Sequence, residues 1–255
     1  MTLAQIKKFL EKKNLCPLKH LGQNFLIDEN ICLQIVSYLK TPIKEAVYEI
    51  GPGLGVLTEH LINQGRKITA FELDMGYCRH LANLFSRDQL TVVHGDVMNT
   101  LVEHPAPQGL IGNLPYNITT PLLLEIGKFS DLPKELVITI QKEVGDRLLA
   151  CQNTKDYGAT TVFLQHLFRI TIKRTLTPDV FYPQPKVQSA ILRLERKEPY
   201  PSQEQRSKFH HFVKIGFSQR RKKLRNTLNI PLDERPQHID VKDWWQLFLK
   251  YRSSL

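Results

Sequence analysis

A chain of 255 residues with 42% hydrophobic residues can bury one large core, or a medium core and a small appendage. It contains no apolar run near the ~20 residues of a membrane span, and its N-terminus lacks the apolar region of a secretory signal, so we expect a cytoplasmic protein without a membrane partner. The net charge of +10 favours a polyanionic partner, and the scattered cysteines argue against a zinc cluster or disulfide framework, so no metal site is predicted.

Strand and helix patterns alternate through the first part of the chain. A basic N-terminal helix and a second helix over residues 29–39, with Asp28 as its cap, precede the alternation. Short apolar strands are then predicted over residues 46–50, 68–71, 90–93, 110–111 and 136–140, with helices over residues 56–64 and 121–128. This order is typical of a parallel sheet wrapped by helices.

Two further strands are predicted beyond this alternation. Residues 168–176 and 187–194 have β-branched or alternating character, with little between them that could form a crossover helix. At least one of the two strands should therefore be antiparallel and close the sheet. The whole pattern predicts a mostly parallel, seven-stranded sheet.

A change in composition marks the end of this region. The proline-containing stretch Lys197–Gln205 is predicted to be a linker, and residues 206–250 have helical patterns. We therefore expect an α/β domain with an N-terminal helical extension over residues 1–198, followed by a small all-helical domain over residues 199–255.

A glycine-rich turn, Gly51-x-Gly53-x-Gly55, follows the first strand and opens a helix, as in a Rossmann-like nucleotide site. Such turns also occur where they serve only strand–helix packing. Val56 stands where a dinucleotide fingerprint has a small residue, which disfavours NAD and FAD.

Two acids at strand ends could bind a nucleoside. Glu72 ends the next strand, where it could accept from both hydroxyls of a ribose, and Asp96 ends the third strand, where it could accept from an adenine amino group. Together these features favour S-adenosylmethionine, while each acid alone could be a solvated carboxylate or a cap.

The segment Asn113-Leu114-Pro115-Tyr116 follows a later strand and has the groups to bind an amino-bearing base. The Asn113 side chain and a backbone carbonyl can both accept from an exocyclic NH2 group, the proline stiffens the turn, and Tyr116 offers a ring for stacking. Combined with the cofactor features, this segment predicts a nucleic-acid adenine methyltransferase.

Further motifs surround these two and come in one order along the chain. They are Leu21-Gly22-Gln23-Asn24-Phe25-Leu26, Glu49-Ile50-Gly51-Pro52-Gly53, Glu72-Leu73-Asp74, Gly95-Asp96, Gly112-Asn113-Leu114-Pro115-Tyr116-Asn117, Gln141-Lys142-Glu143-Val144 and Phe181-x-Pro183-x-Pro185-Lys186-Val187. From about residue 19 to residue 229, the sequence resembles the bacterial small-subunit (16S) rRNA adenine N6,N6-dimethyltransferase family.

The resemblance implies a class I S-adenosylmethionine-dependent methyltransferase fold with a helical C-terminal domain, in a monomer without metal. It implies dimethylation of N6 of two adjacent adenosines in the 3′-terminal hairpin loop of 16S rRNA, within the small ribosomal subunit and late in its biogenesis. By the same resemblance, the cofactor would contact Asn24, Leu26, Gly51, Gly53, Glu72, Asp96 and Asn113, and the adenine would be held by Asn113, Leu114 and Tyr116 and stacked on by Phe181.

Two alternatives stay open at the level of sequence. One is a large-subunit rRNA adenine dimethylase of the macrolide-resistance type, which shares the chemistry. The other is a non-catalytic RNA-binding assembly factor that retains the fold, which the intact Glu72, Asp96 and Asn113 speak against.

Positive charge is concentrated in two segments, a distribution that suits a phosphate backbone. The N-terminal segment carries Lys7, Lys8, Lys12, Lys13 and Lys19 against Glu11, and the C-terminal segment carries Lys214, Arg220, Arg221, Lys222, Lys223 and Arg225 with no acid between them. We predict that both segments bind RNA phosphates. The alternative for the C-terminal segment is one solvated helix face.

Overall fold

The computed structural model describes residues 3–12 and 23–252. The helices within these ranges are α1 (Leu3–Lys12), α2 (Glu29–Tyr38), α3 (Val56–Asn63), α4 (Met75–Leu84), α5 (Val97–Thr100), α6 (Thr119–Ile126), α7 (Lys142–Leu148), α8 (Ala159–Leu167), α9 (Gln203–Gly216), α10 (Leu224–Thr227) and α11 (Val241–Tyr251). The strands are β1 (Phe25–Leu26), β2 (Val47–Ile50), β3 (Ile68–Glu72), β4 (Leu90–His94), β5 (Gly109–Asn113), β6 (Glu135–Gln141), β7 (Phe168–Leu176), β8 (Phe181–Tyr182) and β9 (Ser189–Arg196).

Seven strands form one sheet in the order β4-β3-β2-β5-β6-β9-β7. The strands β4, β3, β2, β5 and β6 pair in parallel, whereas β9 is antiparallel to both of its neighbours, β6 and β7. The predicted seven-stranded, mostly parallel sheet with an antiparallel closing strand is thus confirmed.

Both faces of the sheet are covered at its central strands, which explains why β2, β3 and β6 are mostly apolar and buried along their length. On one face, Val47 of β2 packs in a cluster with Ile35 of α2 and Leu61 of α3. On the other face, Ile50 packs in a second cluster with Leu123 of α6. Parallel strands buried on both sides have their carboxyl ends at a single edge, and loops at that edge are where ligands bind in such folds.

The helix that precedes the sheet begins where the sequence indicates. The Asp28 side chain accepts a hydrogen bond from the backbone N–H of Ile31 at 3.1 Å, so Asp28 caps α2 as predicted. The pair of two-residue strands, β1 and β8, has no counterpart in the sequence analysis. It joins Phe25 to Tyr182 and Leu26 to Phe181 in an antiparallel ladder outside the main sheet.

The C-terminal helices pack against the same core as the sheet. Ser202 and Gln205 form a capping box that starts α9 at Gln203, so the helix begins inside the predicted linker. Phe209 of α9 and Trp244 of α11 belong to the buried cluster that also covers one face of the sheet. The domain boundary between residues 198 and 199 stays a prediction.

A buried arginine ties α9 to the sheet domain. Arg206 is 1% exposed, and its guanidinium donates to the backbone carbonyl of Gly127 at 3.0 Å and to that of Phe129. Guanidinium groups are rarely buried unless they are fully hydrogen-bonded, and here backbone carbonyls provide the acceptors. Sequence reasoning did not identify this contact.

Candidate active site

A cavity opens at the carboxyl edge of the sheet, where β2, β3, β4 and β5 end. Six of the seven residues predicted to bind the cofactor line it: Asn24, Gly51, Gly53, Glu72, Asp96 and Asn113. The seventh, Leu26, does not line it, because its side chain is 4% exposed and packs in the core beneath. Sequence reasoning missed the apolar lining contributed by Leu73, Val97 and Ile118.

The glycine-rich turn forms one wall of the cavity. Gly51 and Gly53 have φ angles of +65° and +53°, which side-chain-bearing residues rarely adopt. A Cβ atom on Gly53 would also lie 2.9 Å from the Phe25 ring. Glycine is therefore required at position 53 both by the backbone angle and by the packing, and Gly51 and Gly53 both line the cavity.

Glu72 lies in the floor of the cavity with its carboxylate already oriented. One carboxylate oxygen accepts from the backbone N–H of Gly53 at 3.0 Å and the other from that of Asp74 at 2.9 Å. Burial raises the pKa of Glu72, and these two hydrogen bonds oppose the rise because they stabilise the charged form. Each oxygen keeps a second lone pair that can accept a ligand hydroxyl.

Asp96 caps a helix and also lines the cavity. One of its carboxylate oxygens accepts from the backbone N–H of Met98 at 2.9 Å and caps α5. Asp96 also lines the cavity, so the same carboxylate can cap α5 and still accept a hydrogen bond from a ligand.

A second buried acid, Glu49 of β2, was not among the predicted site residues. Its carboxylate accepts from the Thr58 hydroxyl of α3 at 2.7 Å, and the side chain is 1% exposed. Burial raises the pKa of Glu49 to about 7, and the charge of nearby Glu72 acts in the same direction. Glu49 therefore joins β2 to α3 and does not line the cavity.

The segment after β5 is fixed by hydrogen bonds to three other segments. The Asn113 side-chain nitrogen donates to the backbone carbonyl of Asn24 at 2.6 Å. The backbone N–H of Leu114 donates to the Thr139 carbonyl at 3.0 Å, and the Leu114 side chain is buried, so Leu114 can reach a ligand only through its backbone. The Tyr116 hydroxyl lies 2.7 Å from the Ser189 hydroxyl, and neither Leu114 nor Tyr116 is among the residues that line the cavity.

Phe181 does not line the cavity. Its ring is 1% exposed and packs in the core cluster with Leu26 and Ile31. Successive side chains of a strand point to opposite sides, so in β8 the neighbouring Tyr182 is the half-buried aromatic residue, with Lys7 Nζ 5.5 Å from its ring centre. The position of Phe181 therefore gives no support to the prediction that it stacks on the target base.

The basic C-terminal segment is not one helix face. Lys214 lies near the end of α9, Arg221 and Lys222 lie in the following turn, and all three are exposed. Arg220 instead donates to the backbone carbonyls of Tyr157 at 2.6 Å and Thr154 at 2.7 Å. Two guanidinium nitrogens of Arg220 are therefore engaged inside the protein, and phosphate binding by Arg220 stays a prediction.

An acid outside the segment pairs with its last two cations. Asp233 lies 2.8 Å from Lys223 Nζ and 2.7 Å from an Arg225 guanidinium nitrogen. At the N-terminus, Lys7 and Lys8 are exposed on α1, whereas Lys13 and Lys19 lie outside the described residues. Among the described residues, Lys214, Arg221 and Lys222 therefore remain as the cations of the C-terminal segment that contact neither an acid nor a backbone carbonyl.

Residues 3–12 and 23–252 contain no group of three or more His, Cys, Asp or Glu side chains that could hold a metal ion, and no helix long and apolar enough to cross a membrane. The sheet order, with a single antiparallel strand next to the last, and the cavity at its carboxyl edge define a class I methyltransferase.

The family follows from comparison with known sequences. A sequence model of the ribosomal RNA adenine dimethylase family matches residues 18–242. The chain is 40% identical to ribosomal RNA small subunit methyltransferase A of Nitrosospira multiformis, over 83% of each chain. It is 36% identical to the protein of the same name from Bacillus cytotoxicus, over 94% of this chain and 86% of that one. The chain therefore belongs to the ribosomal RNA adenine dimethylase family, and the family predicted from the motifs is confirmed.

Solved structures establish the same fold. A dimethyladenosine transferase from Plasmodium falciparum is similar with a TM-score of 0.75 and 24% identity, over 90% of this chain and 98% of that one. The 23S rRNA methyltransferase ErmE is similar with a TM-score of 0.67 and 23% identity, over 89% of this chain and 98% of that one.

Proposed function

We propose that this protein transfers methyl groups from S-adenosylmethionine to N6 of two adjacent adenosines in the 3′-terminal hairpin loop of 16S rRNA, twice at each base, during late assembly of the small ribosomal subunit. The small-subunit methyltransferase names of the relatives support this substrate. We expect the enzyme to act as a monomer in the cytoplasm, where its substrate is assembled.

The observation that carries the proposal is the orientation of the Asn113 amide. A carbonyl can only accept, so the contact with the Asn24 carbonyl must be made by the Asn113 nitrogen. The Asn113 oxygen is then directed elsewhere, in a residue that lines the cavity. There it can accept from the amino group of an adenine, and the Leu114 carbonyl can accept from the second N–H.

These two acceptors address the main difficulty of the reaction. The N6 lone pair of adenine is delocalised into the ring, which makes it a poor nucleophile. Hydrogen bonds accepted from its N–H groups favour a pyramidal nitrogen, whose lone pair is free to attack. No strong general base is needed, because the N6 proton becomes acidic once the new bond forms. Positioning supplies much of the remaining acceleration.

The cavity fits S-adenosylmethionine, which when bound supplies an electrophilic methyl group on a sulfonium sulfur. Glu72 can accept from the ribose hydroxyls, and Asp96 can accept from the adenine amino group of the cofactor. The cavity lining includes these two carboxylates and, among the described residues, no lysine or arginine. That charge suits a cationic sulfonium better than the pyrophosphate of NAD.

The exposed cations Lys214, Arg221 and Lys222 support RNA binding through phosphates. Contacts of this kind fix orientation and affinity and do not select the base that is methylated. A base in a hairpin loop can be unstacked more easily than a base in a duplex, which suits an enzyme that must enclose its target.

The test is transfer of radiolabelled methyl groups to purified small subunits that lack the modification, with the product nucleoside identified by mass spectrometry. We expect N6,N6-dimethyladenosine in small-subunit RNA. Labelling of large-subunit RNA instead would favour a resistance-type dimethylase. Binding to small subunits without any transfer would favour a non-catalytic assembly factor.

A further inference from the structure

Tyr116 reaches across one strand of the sheet to a residue on the next. Tyr116 follows β5, Ser189 is the first residue of β9, and β6 lies between these two strands. The two hydroxyls are 2.7 Å apart. Gln141, the last residue of β6, is the register partner of Ser189, so the tyrosine side chain spans the carboxyl end of β6.

Ser189 is a rigid support for this contact. It is 0% exposed and pairs with Gln141 of β6 on one side and Leu176 of β7 on the other. The residue before it is also held, because the Gln188 carbonyl accepts from the backbone N–H of Lys142 at 2.9 Å. Leaving a buried hydroxyl without a partner is unfavourable, so Ser189 should keep its bond to Tyr116 most of the time.

The bond constrains the ring that is expected to meet the substrate. The backbone around Tyr116 is already pinned by Leu114 and by Asn113. An aromatic ring that is also held at its para hydroxyl cannot turn about its Cα–Cβ bond without breaking that contact. Burial raises the pKa of Tyr116, so its hydroxyl stays protonated at neutral pH and the contact persists there.

We propose that Ser189 is a positioning residue for methyl transfer, which holds the Tyr116 ring in the orientation that stacks on the target adenine. This inference rests on the proposed adenine methylation. Ser189 was not among the predicted site residues, and its contact with Tyr116 joins positions 73 residues apart in the sequence.

The inference is tested with Ser189→Ala, Tyr116→Phe and the double variant, assayed on small subunits that lack the modification. Each single variant should lower kcat by about threefold to tenfold, the effect of one hydrogen bond. KM for subunits and affinity for S-adenosylmethionine should stay the same. The double variant should be no slower than the slower single variant, because both changes remove the same bond.

Thr161→Val is the matched control. Thr161 is also 0% exposed, and its hydroxyl donates to the Arg147 carbonyl at 2.9 Å, away from the cavity. The Thr161 hydroxyl also accepts from the backbone N–H of Gly158 at 3.3 Å, so this variant loses at least as much hydrogen bonding as Ser189→Ala. It should lower the melting temperature while leaving kcat unchanged. A loss of kcat in Thr161→Val as large as in Ser189→Ala would mean that general destabilisation, and not positioning, explains the effect.

Other outcomes separate this inference from the proposed function. An active wild type with unchanged kcat in Ser189→Ala, or single effects that multiply in the double variant, overturns only the role of Ser189. A wild type that transfers no methyl group overturns the proposed function and this inference with it. If Ser189→Ala does not fold, Tyr116→Phe tests the same bond from the other side, and unchanged kcat in that variant overturns the inference.

Discussion

The Asn113 side chain and the Asn24 backbone join the turn after β5 to the segment that precedes β1, over a distance of 2.6 Å. This contact decides which atom of the amide is available to a substrate. The segment just before β1 therefore helps to orient Asn113, the residue expected to bind the target base.

Asn113→Ala should lower kcat by about a hundredfold or more, since removal of one preorganised transition-state hydrogen bond typically has an effect of that size. The fold should survive, because the turn is also held by the Leu114 contact with Thr139. Single-turnover transfer and a thermal melt measure the two effects. Asn63→Ala, at an exposed position on α3, is the control and should be as active as the wild type. Near-normal transfer by Asn113→Ala would remove Asn113 from the mechanism.

Glu72→Ala should weaken S-adenosylmethionine binding by at least about a hundredfold, because two ribose hydroxyls lose a charged acceptor and each such bond contributes about 1.5–3 kcal/mol. Calorimetry measures the affinity directly, and NAD should show no binding to the wild type. Glu59→Ala changes an exposed acid of α3 and serves as the control. Equal cofactor affinity in Glu72→Ala and the wild type would show that Glu72 does not bind the ribose.

The double change Arg221→Ala with Lys222→Ala should weaken RNA binding and flatten its salt dependence by up to about 0.9 log unit for each phosphate contact removed. S-adenosylmethionine affinity should not change. The same salt slope in the double variant as in the wild type would count against a phosphate-binding role for Arg221 and Lys222.

Two neighbouring positions should behave differently. Arg220→Ala should lower the melting temperature, because it removes two hydrogen bonds within the protein. Asp233→Asn should strengthen RNA binding by releasing Lys223 and Arg225.

Glu49 should make the free energy of unfolding depend on pH. Its pKa is about 7 in the folded protein and lower in the unfolded chain, so the folded state binds more protons between pH 4.5 and 7. The contribution of Glu49 to stability is therefore complete below pH 4.5 and is lost as the pH rises to 7. At about 1.4 kcal/mol per pKa unit, the loss is on the order of 3–4 kcal/mol.

Glu49→Gln should remove this dependence, so that the variant gains stability relative to the wild type as the pH rises from 5 to 8. Denaturant unfolding at several pH values measures the change, with Glu59→Gln as the control at an exposed site. A constant difference between Glu49→Gln and the wild type across this range would show that Glu49 does not titrate there.

The sequence predicts those features of the fold that depend on local patterns. Apolar runs separated by helical patterns were enough to locate the strands of the sheet, and Asp28 and the glycine-rich turn have local signatures. Glu72, Asp96 and Asn113 could be placed together because parallel strands end at one edge. The strands β1 and β8 could not be found, since two residues are too few to show a period.

Contacts between residues distant in sequence account for most of what sequence reasoning did not foresee. Arg220 and Arg221 are adjacent cations, and only the position of the loop around Tyr157 decides that Arg220 is used inside the protein. The pairing of Asp233 with Arg225 and the burial of Phe181 likewise depend on how segments meet in space. Such contacts have no periodic signature in a single sequence.

The buried Arg206 limits how the C-terminal helices can be exchanged between related enzymes. Its acceptors are backbone carbonyls of the segment after α6, including those of Gly127 and Phe129, so the fit depends on the path of the main chain there and not on the identity of its side chains. Consider a chimaera whose C-terminal third came from a relative in which the main chain after α6 follows a different path. The buried guanidinium of its Arg206 would then lack hydrogen-bond acceptors. Grafts should therefore be cut so that the α6–β6 connection and α9 come from the same parent.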